Sequence, residues 1–334
     1  MKEVQNLTAD KAVLESYLKG QGWLRLNEKV VAVEIPGEGN MNFTLRVKTG
    51  ERSFIIKQSR AYVEKYPQVA APDTRVLREA DFYKLVGTNK ELSAQMPDLI
   101  GVDTENHVLN LEDLGEGTDF TFLYQEGKTI DEGALNSIIQ FAAQLHTSIT
   151  TKTTNASLKN LEMRTLNHEH IYMYPYLEDN GLDLDDVLPG LQEIALHYKK
   201  DEKLKAALKP LGERYLKDGK SLLHGDYFPG SWLQTEDGIK IIDAEFCFFG
   251  DPEFELGVTL SHLKMADQSD EIIHKALAVY QEIAPLDSKL CKQFMAVEIL
   301  RRILGLAQLP LTINLEKRKE LLKEARAILL ESAY

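Results

Sequence analysis

The apolar residues of this chain change their spacing once, and that change constrains the fold more than any other feature. Val13, Leu14, Tyr17 and Leu18 recur at helical spacing, and Gly20 offers a stop. Residues 29–35, 42–48 and 53–57 then read as short strands, with Thr49-Gly50 as the turn between the last two. A helix is expected from Pro72-Asp73 to about Val86, with Asp73 as its cap, followed by strands near 98–102 and 107–112. Beyond Gly115-Glu116-Gly117 the texture is helical: near 132–149, 188–199, 201–217, 254–265, 271–283, 287–307 and 314–332. One β-rich island, Leu222 to Asp243, interrupts that run. The pattern predicts a small β-rich lobe over 1–113 and a larger, mostly helical lobe over 114–334, an α+β chain.

Composition narrows the function. With 334 residues, 43% hydrophobic and 27% charged, the chain is of ordinary globular type and long enough for two domains. Its 52 acidic against 39 basic residues give a net charge of −13, which argues against a nucleic-acid partner but leaves room for a small anion in a locally positive pocket. Two cysteines, Cys247 and Cys291, fit a reducing compartment. The start shows no apolar stretch behind a basic segment, and no window approaches the roughly 18 apolar residues of a spanning helix. The expectation is a cytoplasmic protein with no membrane partner; a homodimer is compatible with it.

Several residues could carry chemistry. Gly37-Glu38-Gly39-Asn40-Met41-Asn42 has a G-x-G without the third glycine or the following helix of a dinucleotide fold. Two readings stay open, a plain hairpin turn or a loop whose amides close over phosphates. Lys57 ends the strand Phe54-Ile55-Ile56-Lys57, and Glu79 lies 22 residues on, inside the next helix. Such a pair can aim an ammonium at phosphates, although a lone strand-end lysine is usually just solvated.

The island is the strongest local signal. Leu222-Leu223-His224-Gly225-Asp226 delivers a carboxylate onto a loop, and Ile241-Ile242-Asp243-Ala244-Glu245 ends a second apolar strand in two more. Carboxylates at strand ends suit Mg²⁺, which takes few protein ligands plus phosphate oxygens and water, while Asp226 could accept a hydroxyl proton. Turn-capping aspartates are the bland alternative. A hydrolytic two-metal site around His224 is the other, weakened by the lack of further histidines nearby.

The ordered series resembles the aminoglycoside phosphotransferase and choline kinase superfamily, which has a bilobal protein-kinase-like fold, and is most similar to the 5-methylthioribose kinases. The carrying segments are Gly37 to Phe43, Ile55-Ile56-Lys57-Gln58, Glu112-Asp113-Leu114, His224-Gly225-Asp226 with Gly230-Ser231, Asp243-Ala244-Glu245-Phe246 and Arg301-Arg302-Ile303-Leu304-Gly305. The resemblance implies ATP and Mg²⁺ as cofactors and a small-molecule hydroxyl as acceptor. It implies Asp226 as catalytic base, and Asp243 and Glu245, with Ser231, as metal residues. It places Gly37, Gly39, Asn40, Asn42, Lys57, Glu79 and the backbone of Glu112 and Leu114 around the nucleotide. Tyr227, Arg301 and Arg302 would line the acceptor pocket. Adjacent helical residues diverge by about 100°, so one arginine is expected to reach the pocket while the other pairs elsewhere. The bland reading makes both solvated surface residues.

Overall fold

The computed structural model describes residues 4–37 and 41–331. The chain divides into two compact units. The first takes Met1–Gly117 and a later segment, Thr235–Cys247; the second takes Thr118–Gln234 and Phe248–Tyr334. The expected division, 1–113 and 114–334, cuts the chain once, whereas these units cut it three times. The carboxylates Asp243 and Glu245 thereby join the β-rich unit.

The first unit opens with α1 (Lys11–Gly20), whose Asp10 carboxylate caps the amides of Ala12 and Val13. Strands β1 (Val30–Glu34), β2 (Phe43–Thr49) and β3 (Ser53–Gln58) follow. Next come a short hairpin, β4 (Tyr62–Val63) and β5 (Tyr66–Ala70), then α2 (Arg75–Val86), α3 (Lys90–Ser93), β6 (Leu99–Asp103) and β7 (Val108–Glu112). Five strands form one antiparallel sheet in the order β1-β2-β3-β7-β6. Side chains alternate across a strand, so Leu45, Val47, Phe54, Ile56 and Val108 share one face, where they pack with Leu14, Tyr17 and Leu18 of α1. Lys57, next to Ile56, therefore turns to the opposite face. Helix α2 lies against β6, β7 and the turn Ala244–Phe246. Asp73 is not its cap: Thr74 holds that position and makes no side-chain capping bond.

The second unit is mostly helical: β8 (Thr118–Asp119), α4 (Glu132–Ser148), α5 (Leu161–His168), α6 (Leu191–Lys199), α7 (Glu202–Tyr215), β9 (Ser221–Leu223) and β10 (Trp232–Thr235). After β11 (Gly238–Ile241), which belongs to the first unit, come β12 (Phe248–Gly250), α8 (Pro252–Met265), α9 (Asp270–Ile283), α10 (Ser288–Leu304) and α11 (Leu315–Glu331). Helix α10 is buried almost all round, as a central helix must be. It meets α8 at Gly257, where a Cβ would stand only 2.8 Å from Cys291 O and Met295 N. Only glycine admits that approach. Among the described residues no helix is long and apolar enough to cross a membrane. The sequence reading missed α5, the π-helical turn Glu169–Met173 after it, and the β4–β5 hairpin.

Candidate active site

In the first unit, the turn from Ile56 to Lys57 carries the ammonium off the α1 side of the sheet. Lys57 is buried, with Nζ 2.8 Å from Glu79 Oε2 on α2 and in direct contact with Asp243 Oδ1. Burial alone would lower the lysine, but the Asp243, Glu79 and Glu245 carboxylates more than offset it and hold the ammonium above its ordinary range. Asp243 adopts a left-handed backbone (φ 66°), a conformation that costs energy for a residue with a Cβ, and its side chain is 57% exposed.

Glu245 is buried beside it, its Oε2 accepting from Asn42 Nδ2 at 2.7 Å and lying 3.4 Å from Arg75 Nε. Arg75 is a hub that the sequence reading did not single out. It donates to Asn42 Oδ1 and to the carbonyls of Met41, Arg60, Tyr62 and Pro72, fixing the chain on both sides of β4. Burial pushes Glu79 up to about 7 and raises Glu245 as well. Three carboxyl groups thus share two cations, Lys57 and Arg75, and Asp243 and Glu245 present oxygen donors beside them. Hard carboxylate oxygens fit Mg²⁺. Among the described residues, no group of three or more His, Cys, Asp or Glu is arranged to hold a metal unaided. The two-carboxylate set suits an ion whose remaining ligands are phosphate and water.

The other expected nucleotide residues are placed unevenly. Gly37 occupies the left-handed region (φ 69°) with open space where a Cβ would stand, while Gly39 and Asn40 lie outside the described residues. Glu112 ends β7, its amide and its carboxylate both bonded to the main chain of Asp98. Leu114 follows in a segment pinned to β2, because Arg46 of that strand holds Asp113 at 2.9 Å and the carbonyl of Gly115 at 2.7 Å.

In the second unit, β9 pairs with β12 and feeds His224-Gly225-Asp226 into a loop, with Gly225 at φ 89°. That loop is held from below by Glu255 of α8. Its two oxygens accept the amides of His224 (3.1 Å) and Gly225 (2.7 Å), and His146 Nε2 lies 2.9 Å away. Burial would raise Glu255, but His146 and these amides hold it below its ordinary range. His224 is wholly buried on this support, which suits a loop anchor rather than a metal ligand.

The Asp226 side chain is 27% exposed, and its Oδ1 lies 3.5 Å from Arg302 Nη2. Burial raises its pKa, partly countered by Arg302 and Arg301. Both arginines are buried, so neither is a solvated surface residue. They divide as helical geometry requires: Arg302 reaches Asp226, while Arg301 binds Glu298 and, through Nη2, Asn167 Oδ1 at 3.2 Å.

Two expectations change on contact with the structure. Tyr227 is fully buried, its ring stacked on Phe141 and its hydroxyl donating to Ile138 O at 2.8 Å. It is a core residue, and the neighbouring Phe228 faces the charged groups instead, with the Arg302 guanidinium 5.1 Å above its ring. Ser231 is also spent on the loop. Its hydroxyl bonds the carbonyls of Asp226 (2.6 Å) and Phe228 and accepts the Phe228 amide, leaving it poorly placed to ligate a metal.

A model of the phosphotransferase enzyme family matches residues 32–288, which include every residue of both clusters except the α10 arginines and Glu298. The chain belongs to that family. The chain is 26% identical over 274 residues to a methylthioribose kinase of Yersinia pestis, a match covering 79% of this chain and 65% of that protein. The methylthioribose kinase of Pectobacterium atrosepticum is 25% identical over 279 residues, covering 79% and 66%. The chain therefore spans just under two thirds of the length of those relatives. Among solved structures it is similar to a choline kinase from Streptococcus pneumoniae (TM-score 0.55, 14% identity, 97% of this chain and 99% of that one). It is also similar to a spectinomycin phosphotransferase (TM-score 0.53, 14% identity, 98% and 99%). The chain has the α+β, protein-kinase-like fold of these proteins.

Proposed function

We propose that the chain transfers the γ-phosphoryl group of ATP, with Mg²⁺, to a hydroxyl of an uncharged, sugar-like small molecule, 5-methylthioribose or a close relative. Asp243 and Glu245 would hold Mg²⁺, which neutralises phosphate charge when bound. Lys57, fixed by Glu79, supplies a lasting positive charge for the nucleotide phosphates. Asn42 and Arg75 orient the Glu245 carboxylate. Asp226, with its raised pKa, orients the acceptor hydroxyl and takes its proton. Arg302 offers positive charge beside that carboxylate.

The observation that carries the acceptor class is the company Asp226 keeps. Asp226 and Glu298 are matched by Arg301 and Arg302, so no surplus carboxylate is left to attract a cation. A cationic acceptor such as choline or an aminoglycoside would meet the Arg302 guanidinium beside Asp226; a neutral sugar would find a hydrogen-bond donor there. A coupled ADP-release screen tests this. Turnover is expected with methylthioribose or another pentose, and turnover confined to choline, aminopropanol or spectinomycin would overturn the acceptor class.

A further inference from the structure

Glu298 lies one helical turn before the two arginines, at i,i+3 and i,i+4, and is almost wholly buried. Arg301 Nη1 lies 3.0 Å from both of its oxygens, and Arg302 Nε lies 2.6 Å from Oε1. His262 of α8 approaches the same oxygen through Nε2 at 3.3 Å, and its Nδ1 lies 2.6 Å from the hydroxyl of Tyr124. Burial pulls His262 down to about 4, so the ring is neutral near neutral pH. Burial alone would raise Glu298, but Arg301, Arg302 and His262 hold it well below the usual carboxylate range. An ionised carboxylate only accepts, so the single ring proton sits on Nε2 and points at Glu298, and Tyr124 donates to Nδ1. Every donor in this chain has one direction available to it.

The two ends of Arg302 are unequal. Its Nε bond to Glu298 is short, while Nη2 stands 3.5 Å from Asp226 and Nη1 3.4 Å from the carbonyl of Ala307. An unrestrained guanidinium would close on a carboxylate with two parallel bonds. Here it does not. We propose that Glu298 is a positioning residue: by holding Arg302 through Nε, it keeps the guanidinium beside Asp226 without letting it close on that carboxylate. The inference rests on the reading of Asp226 as the base only for its consequence in catalysis; the restraint itself is a property of the protein alone.

The test uses the full chain labelled with ¹⁵N in its arginine side chains, without nucleotide or acceptor, so failure of the phosphotransfer reading would leave it untouched. Arg25, whose exposed guanidinium pairs through Nη1 with exposed Glu51, is the internal reference. In the wild type, hydrogen exchange at Arg302 Nε should be at least about tenfold slower than at Arg25 Nε, the scale of one charge-assisted bond. Glu298→Gln keeps the shape and removes the charge, whereas Glu298→Asp keeps the charge and shortens the arm. Positioning by charge predicts that Gln loses at least about tenfold of the protection and Asp retains more of it. Wild-type exchange as fast as Arg25 would overturn the proposal, and that comparison needs no variant to fold. Protection kept by Gln and lost by Asp would also overturn it, because that order belongs to packing.

Discussion

Glu255 accepts the amide of Gly225 at 2.7 Å, and with its other oxygen the amide of His224, so a buried carboxylate underlies the loop that presents Asp226. Glu255→Ala leaves two buried amides and His146 without their acceptor. We expect a loss on the order of 3 kcal/mol, the cost of breaking a buried charged network. Urea unfolding checks it; a midpoint unchanged from wild type would show that the loop is held by something else.

Asp226→Asn keeps the size of the side chain and removes the proton acceptor. If Asp226 is the base, turnover should fall by roughly 10²–10⁴-fold while ATP affinity changes little. Steady-state kinetics with calorimetric ATP titration separates the two quantities, and near-normal turnover would end the assignment.

Tyr227 and Phe228 make a matched pair of tests. Tyr227→Phe strips a hydroxyl from a buried hydrogen bond and should cost about 1 kcal/mol of stability with acceptor KM unaltered. Phe228→Ala removes the ring beneath Arg302 and should depress turnover more than stability. The reverse ordering would return Tyr227 to the acceptor pocket.

The carboxylate cluster predicts a split between metal and scaffold. Asp243→Ala should abolish the Mg²⁺ dependence of ATP binding with the fold intact, since its side chain is largely exposed. Arg75→Lys should instead destabilise the protein, by about 2 kcal/mol or more, because an ammonium cannot replace bonds to four carbonyls and Asn42. Calorimetry with and without Mg²⁺, beside thermal melts, reads both.

Opposed signs are expected in the pH dependence of stability. Glu255 and Glu298 are held below the ordinary glutamate value of 4.5, so the stability they contribute is complete above it and drains as the pH falls towards their folded-state values. Glu79 behaves oppositely. It is pushed up to about 7, so the folded state holds its proton longer than the unfolded chain, and stability declines as the pH rises from 4.5 to about 7. Urea midpoints across that range should show a decline that Glu79→Gln flattens; a decline unchanged in the variant would count against a neutral Glu79.

Much of this was readable in advance because it rests on local pattern. The lysine of β3 and the glutamate of α2 announce themselves through strand period and helix spacing, and Lys57 and Glu79 do meet. Arg75 was not legible, because its value comes from carbonyls at Met41, Arg60 and Tyr62 that converge only after β4 and β5 fold back. Glu255 was hidden in Asp251-Pro252-Glu253-Phe254-Glu255, where a glutamate in a first helical turn looks like a dipole partner. Glu298 could have been found, since a glutamate three and four residues ahead of paired arginines is a recognised helical motif. Tyr227 was misjudged because adjacency to Asp226 says nothing about direction when the loop turns at Gly225. Helix α5 escaped notice because polar residues in 150–168 blur its apolar period.

The detour of the chain has a consequence for how the protein comes into being. A ribosome releases the five-stranded sheet early, but the segment Thr235–Cys247 emerges only after α4, α5, α6 and α7 of the second unit have been made. Until then Lys57 and Arg75 stand without the carboxylates of Asp243 and Glu245. A fragment ending at Gly117 would therefore keep the Lys57–Glu79 pair and the carbonyl bonds of Arg75 but lack both carboxylates proposed for Mg²⁺, so dissecting the gene at that point removes half of the cluster.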